Sequence, residues 1–490
     1  MLLDHLPALL PVVPLSVALA LPVAGLVRRG VVYPTAVATG VATTLLALLA
    51  LQRVLAEGEL RYAVGGWPAP WGIELVVDHL SAFVAVAVSG MVALAIVYAA
   101  PPRRAPESAG AFYGLVLLFL ASLMGIVVTG DLFNLFVFLE VASLSSYALV
   151  ASGGGRALLA AFRYLLLGTV GASFYLLGVG HLYVLTGTLN MADLAARLPE
   201  LAGSRVFAVA VGFLVIGLGI KMALFPLHGW LPDAYTYAPP AVTALLAPVT
   251  TKVAAYALAR VLFSVLGGPE TLGRIPLGVL AWAGAVAVVA GGVLALRQSD
   301  LRRLLAYSSV SQVGFIALGL GLANQPGLAG AYLHILSHAL MKGCLFFVAG
   351  AVVVRLGGPA LADLRLMRER MPWTTVCLVV AALSMIGIPP TAGFFSKWYL
   401  LVGAIEAGQP LLAAVIAGGG LLTAVYMWRV VEHACLARHG DSRSHAGPRA
   451  EAPPAMLVAL LAAVAGILAV GIWSAPLVAR VLLPAASSVG

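Results

Sequence analysis

Charge is scarce in this chain. Asp, Glu, Lys and Arg make up only 10% of its 490 residues, where soluble domains carry about 25%. That scarcity excludes a solvated surface of ordinary size, and a hydrophobic content of 62% takes its place. Cysteine is nearly missing as well. Cys344, Cys377 and Cys435 lie far apart and form no CxxC pair, which excludes a disulfide framework and a cysteine cage for a metal. No nucleophile–base set, phosphate loop or cofactor fingerprint occurs, so neither a cofactor nor catalysis by the chain itself is expected. The formal charge of +9 comes without a basic run or an aromatic-rich soluble module, and nucleic acid is excluded as a partner. Lysine is the last scarcity: there are four, Lys221, Lys252, Lys342 and Lys397.

What is present is apolar sequence in lengths of about 20 residues, enough to cross about 30 Å of hydrocarbon. The pattern predicts an all-α polytopic membrane protein of fourteen spans, near 6–27, 32–52, 78–100, 110–129, 132–152, 158–187, 206–227, 240–264, 275–296, 304–323, 328–354, 373–404, 411–431 and 455–478. The longest connections are 53–77, rich in Gly, Pro and Trp, and 432–454. MLLDHLPALL has no positive n-region, so the first run reads as a retained helix. Arginine sets the orientation. One side receives Arg28, Arg29, Arg103, Arg104, Arg156, Arg297, Arg302, Arg303, Arg355, Arg365, Arg368, Arg370, Arg438, Arg443 and Arg449; the other receives only Arg53, Arg61, Arg197, Arg205, Arg274 and Arg480. The positive-inside rule then puts both termini outside a cell (inner) membrane.

All four lysines fall inside spans while nearly every arginine lies in a loop or at a span end. Arginine stays protonated, whereas a buried lysine can exchange its proton. Among the acids only Glu140 lies well inside a span. Lys221 and Lys397 are off-centre, so each could instead snorkel to an interface, and Glu140 could be a purely structural partner. In AYLHILSHALMKGCLFF, His334, His338 and Lys342 are spaced by four and share one helix face. Imidazole both donates and accepts near neutral pH, as a proton relay needs. Two satisfied interhelical histidines, or half of a metal site, are the competing readings; no third ligand is evident, and no metal is expected.

Two spans are interrupted. GIKMALFPLHGWLPDAYTYAPP, Gly219–Pro240, puts Lys221 before Pro226, Pro232 and Pro239-Pro240; SMIGIPPTAGFFSKW puts Pro389-Pro390 before Lys397. Paired interruptions in two halves point to inverted repeats with a site at the break. The breaks are in spans 7 and 12, so two five-helix units, spans 4–8 and 9–13, place each break fourth, and an odd count inverts the second unit. The expected division is residues 1–109 for spans 1–3, 110–270 and 271–431 for the two repeats, and 432–490 for a loop and span 14.

These residues resemble the proton-conducting antiporter-like subunits shared by Mrp-type cation/proton antiporters, respiratory complex I and membrane-bound hydrogenases. The resemblance rests on GDLFNLFVFLEVASLSSYALV, GIKMALFPLHGWLPDAYTYAPPAVTALLAPVTTKVAAYALAR, SDLRRLLAYSSVSQVGFIALG, HILSHALMKGCLFF and GIPPTAGFFSKW. It implies fourteen helices with broken seventh and twelfth members. It also implies a coupled pair, Glu140 and Lys221, a relay through Lys252, His334 and His338, and a terminal Lys397. Where other members have lysine in the D-L-K-R-L-L motif this chain has Arg302, to which no role is assigned. The chain ends soon after span 14, and GGWPAPWGIELVVDHLSAF is most similar to the D-type component of Mrp antiporters and its hydrogenase counterpart. SLSSYALVA leans toward the N-type component of complex I. The favoured expectation is a proton-translocating subunit of a Na⁺/H⁺ antiporter, similar to the Mrp D-type component and working with other membrane subunits. The alternative is the corresponding pumping subunit of a hydrogenase or NADH-quinone oxidoreductase. A haem or quinone redox subunit would need facing axial histidines, and an organic-solute carrier would need a side-chain set tuned to its ligand; both rank lower.

Overall fold

The structure, a computed structural model, describes residues 2–101, 108–436 and 450–487. Arg103, Arg104, Arg438, Arg443 and Arg449, used above for orientation, lie outside the described residues.

Inside hydrocarbon every backbone N–H and C=O must find a partner within the protein, and a helix is the way a single segment does so. Among the described residues twelve helices are long and apolar enough to cross: Leu6–Val27, Arg29–Glu57, His79–Tyr98, Ala109–Val128, Leu132–Ala151, Arg156–Thr186, Pro240–Val265, Arg274–Leu296, Leu301–Leu322, Gln325–Leu356, Pro410–Cys435 and Pro454–Ile472. Two more crossings are assembled from halves, Arg205–Lys221 with Leu231–Tyr237 and Pro372–Ile386 with Ala392–Glu406. Counted in chain order, the divided ones are spans 7 and 12 of fourteen, as the prolines predict. Several starts are set by short polar side chains that satisfy the first free amides. Asp78 accepts from Ser81 N, Asp131 from Asn134 N and Asn324 from Gly327 N, at 2.8, 2.7 and 3.0 Å.

The connection 53–77, expected as a loop, contains a two-stranded antiparallel hairpin, with Leu60–Ala63 paired to Glu74–Val77 and Leu60 opposite Val77. Its strands are only 4 residues each, too short to show alternation between Gly- and Pro-rich turns. Span 2 runs on to Glu57 rather than residue 52, its last turn carrying an Arg53–Glu57 ion pair.

A backbone latch repeats in the two units. Leu132 N donates to Leu189 O and Met191 N to Gly130 O, at 3.0 and 2.8 Å, pinning the start of span 5 to the segment after span 6. Leu301 N donates to Pro359 O and Leu361 N to Ser299 O, at 2.8 and 2.9 Å, doing the same for spans 10 and 11. Asp131 and Asp300 cap the two latched helices. Five crossings separate the latches, so they sit on opposite membrane faces, and the second unit is the first inverted.

Within each unit helices pack main chain to main chain. A Cβ on Gly314 of span 10 would come within 2.6 Å of Gly284 O in span 9, and one on Gly217 of span 7 within 2.7 Å of Gly171 O in span 6. Gly314→Val is expected to cost about 1–3 kcal/mol through overpacking. Gly278→Val, with nothing within 4 Å of the new Cβ, serves as control. Thermal unfolding in detergent should separate them, and equal melting temperatures would refute the tight contact.

Candidate functional site

Span 7 stops at Lys221 because Pro226 offers no N–H to the carbonyl four residues back and its ring clashes there. The chain turns through Ala223, at a positive φ of 60°, before the helix resumes at Leu231. The freed carbonyls are met one by one. Leu224 N donates to Gly219 O at 2.9 Å, and the Trp230 indole to Ile220 O at 2.8 Å. Trp230 is itself clamped, its ring stacked 4.0 Å from that of Tyr164. At the end of this half-helix the Lys221 ammonium donates to Glu140 Oε1 at 2.8 Å and Ser143 Oγ at 2.7 Å. Glu140 and Ser143 sit about one turn apart on span 5. Lys221 is 8% exposed, whereas the Glu140 side chain retains 27% exposure at the periphery of the chain. A cavity of about 30 Å³ lies beside Lys221, lined also by Ser143, Tyr164, Thr250 and Ala254. It can seat a water molecule, and its Thr250–Ala254 wall belongs to the turn of span 8 that carries Lys252.

Three further lysines are buried in the bundle, each on neutral oxygens. Lys252 donates to Ala247 O at 2.7 Å. Lys342 donates to Leu305 O at 2.8 Å and to the Ser308 hydroxyl. Lys397 donates to Met385 O at 2.6 Å and Ile386 O at 3.1 Å. Those two carbonyls end the first half of span 12, which Gly387 closes in a left-handed turn at φ 97°. The end of a helix carries partial negative charge, so here the break supplies the ammonium's counter-charge. The Phe315 ring adds a face 5.0 Å from Lys397 Nζ. Neither Lys221 nor Lys397 snorkels to an interface: both ammonium groups are bound inside.

The histidines lie between these lysines. His334 and His338 are fully buried with rings stacked at 5.8 Å. His334 Nδ1 is 2.9 Å from Ser396 Oγ on span 12. His334 Nε2, both ring nitrogens of His338, Gln312 Oε1 and Thr251 Oγ1 have no partner within the protein. A buried polar atom left unpaired costs about 1–3 kcal/mol, a cost that these core side chains carry within the protein.

The fold thus brings together Glu140 and Lys221 directly. It gathers Lys252, Lys342, His334, His338 and Lys397 into the core, with Pro226, Pro389 and Pro390 in the two breaks. Sequence reading missed Ser143, Ser308 and Ser396, because a serine in an apolar run reads as helix filler. Their only signal is spacing: Ser143 falls three residues after Glu140 and Ser396 one before Lys397. Trp230 was visible in the motif but had no partner until the break was seen.

Two divided helices around a buried series of lysines, histidines and one glutamate define an antiporter-like polytopic membrane subunit. Residues 129–423 match the family described as NADH:quinone oxidoreductase/Mrp antiporter, transmembrane, and the chain belongs to that family. It is 49% identical to the N subunit of NADH-quinone oxidoreductase from Desulforudis audaxviator, over 98% of both chains. It is 35% identical to the D subunit of the Na⁺/H⁺ antiporter from Alkalihalophilus pseudofirmus, over 76% of this chain and 75% of the other. Among solved structures it is similar to a chain of the archaeal membrane-bound sulfane sulfur reductase, with TM-score 0.90 and 31% identity over 99% of this chain and 97% of that one. A chain of the Mrp complex of a Dietzia species gives TM-score 0.88 and 27% identity, over 100% and 98%.

Glu140→Gln and Lys221→Gln, made singly and together, should show a coupling of about 0.5–3 kcal/mol in thermal unfolding. The double variant is expected to lose less than the two singles combined; strict additivity would mean that the pair contributes nothing.

Proposed function

We propose that this chain is a proton-translocating subunit of a multisubunit membrane complex, its relay running through Glu140, Lys221, Lys252, Lys342, His338, His334 and Lys397. The observation that carries the reading is the Lys221–Glu140 contact at a helix break, backed by three lysines whose partners are all neutral. At rest the carboxylate of Glu140 holds the ammonium of Lys221. A proton arriving on Glu140 removes that counter-charge, and Lys221 then gives its own proton through the adjoining cavity toward Lys252. Charge at Lys252 repels charge at His338, Lys342 and Lys397 and drives the next proton along the series. Only protons need move through these side chains; sodium, if exchanged, can be handled elsewhere in the complex.

For the host complex, near-full-length identity to an NADH-quinone oxidoreductase subunit supports the redox-linked reading at least as well as the Na⁺/H⁺ antiporter reading. In either, the chemistry that drives the protons belongs to partner subunits, and this chain performs no catalysis alone. The reading also places it in the cell membrane with both termini on the arginine-poor, outer face. Residues 110–270 and 271–431 then form the two relay units, between 1–109 and 432–490.

In assembled complex in everted vesicles, Lys221→Ala should lower proton movement by about tenfold or more with the subunits still associated. Arg274→Gln, on the outer surface, should not. Undiminished proton movement in Lys221→Ala would sink the proposal. Whether wild-type movement answers to added sodium or to quinone reduction identifies the host complex.

A further inference from the structure

Lys252 does not stand alone on its helix. Lys252, Tyr256 and Arg260 are spaced by four along span 8, so they share one face and rise about 6 Å per step toward its arginine-poor end. The last step falls where the helix widens into a π-turn over Arg260–Val265, a feature common at functional sites. Arg260 forms an ion pair with Asp78, the cap of span 3. Asp78 Oδ1 also accepts from the Ser81 hydroxyl at 3.0 Å. The Tyr256 hydroxyl, on the same helix face one turn from Lys252, donates to Val127 O at 2.6 Å. Above the pair is a cavity of about 410 Å³, lined by Asp78, His79, Arg260, Ser264 and Tyr332 and rimmed by Glu59, whose side chain is 39% exposed. Polar groups therefore run from an exposed carboxylate to within one turn of a lysine at the centre of the bundle.

We propose that this cavity is the outer mouth of the proton path, with Asp78, Ser81 and Tyr256 linking it to Lys252. The proposal rests on the proton-translocating reading above and adds the place where protons meet the outer aqueous phase. Asp78 takes a proton from water in the cavity, or gives one to it. The Ser81 and Tyr256 hydroxyls each accept one proton and release another, and the Lys252 amine is the inner terminus. Arg260 holds the Asp78 carboxylate in place without consuming a proton.

A merely structural clamp between spans 3 and 8 would share this geometry, so the test must read access as well as activity. Ser264 lines the cavity but takes no part in the relay. In Cys435→Ser background, where the remaining Cys344 and Cys377 are buried, Ser264→Cys in assembled complex is treated with a membrane-impermeant, positively charged thiol reagent from each side. Labelling is expected from the outer side alone, and the adduct should lower proton movement by about tenfold, reversed by reductant. Arg274→Cys, on the same face outside the cavity, should label without effect. Asp78→Asn, which keeps the helix cap, and Tyr256→Phe should slow proton movement while leaving Ser264→Cys labelling intact. Absence of outer labelling, or full labelling at an unchanged rate, overturns the proposal. A Lys221→Ala complex that still moves protons would overturn the underlying relay instead, whatever Ser264→Cys shows.

Discussion

Hydrocarbon tolerates neither unpaired main chain nor unpaired charge, and this molecule answers the two demands with each other. Where proline stops a helix, carbonyls are released; where lysine enters the bundle, an ammonium needs oxygens. At the second break the solution is direct, with Lys397 bonded to Met385 O and Ile386 O. At the first, an indole meets the exposed carbonyl of Ile220, and Lys221 is left to a carboxylate and a hydroxyl on span 5.

The two units share a latch and a break yet differ in charge. Nine residues after capping Asp131 comes Glu140; nine after capping Asp300 comes Ser309. The first unit therefore contains an ion pair with its acid turned toward the edge of the chain, and the second contains a cation with no acid. A carboxylate exposed at the flank can respond to a neighbouring subunit. A lysine bound only by carbonyls has no such outlet and responds chiefly to the other cations of the core. The inverted repeat supplies two similar frames, and side-chain differences within them give one an ion pair and the other a carbonyl-bound lysine.

Span number, the two breaks and the four intramembrane lysines were legible in the sequence because each is a local violation of an apolar background. The Glu140–Lys221 contact was legible as a pairing of the lone intramembrane acid with a lysine at a helix break, though not the hydroxyl that completes it. What escaped was short or cooperative. The hairpin at Leu60–Ala63 and Glu74–Val77 is too brief to show a period. Ser308 and Ser396 gain meaning only when another helix brings a lysine or a histidine against them. Arg260 and its partner Asp78 are 182 residues apart in sequence, and nothing in either neighbourhood names the other.

The glycine contacts at Gly314 and Gly217 bear on motion. Helices whose main chains touch have no soft side-chain layer between them in which to slide, and close-packed interiors transmit displacement rather than absorb it. Spans 9 and 10 behave as one slab, and spans 6 and the first half of 7 as another. Rocking of whole helices, the usual means of alternating access, is thereby discouraged within each unit. The half-helix beyond the second break is held the same way, a Cβ on Gly403 falling 2.6 Å from Gly327 N of span 11, so the freedom left is that of side-chain rotamers and water. The machine is geared for protons, whose passage needs only small rearrangements of hydrogen bonds within a stiff casing.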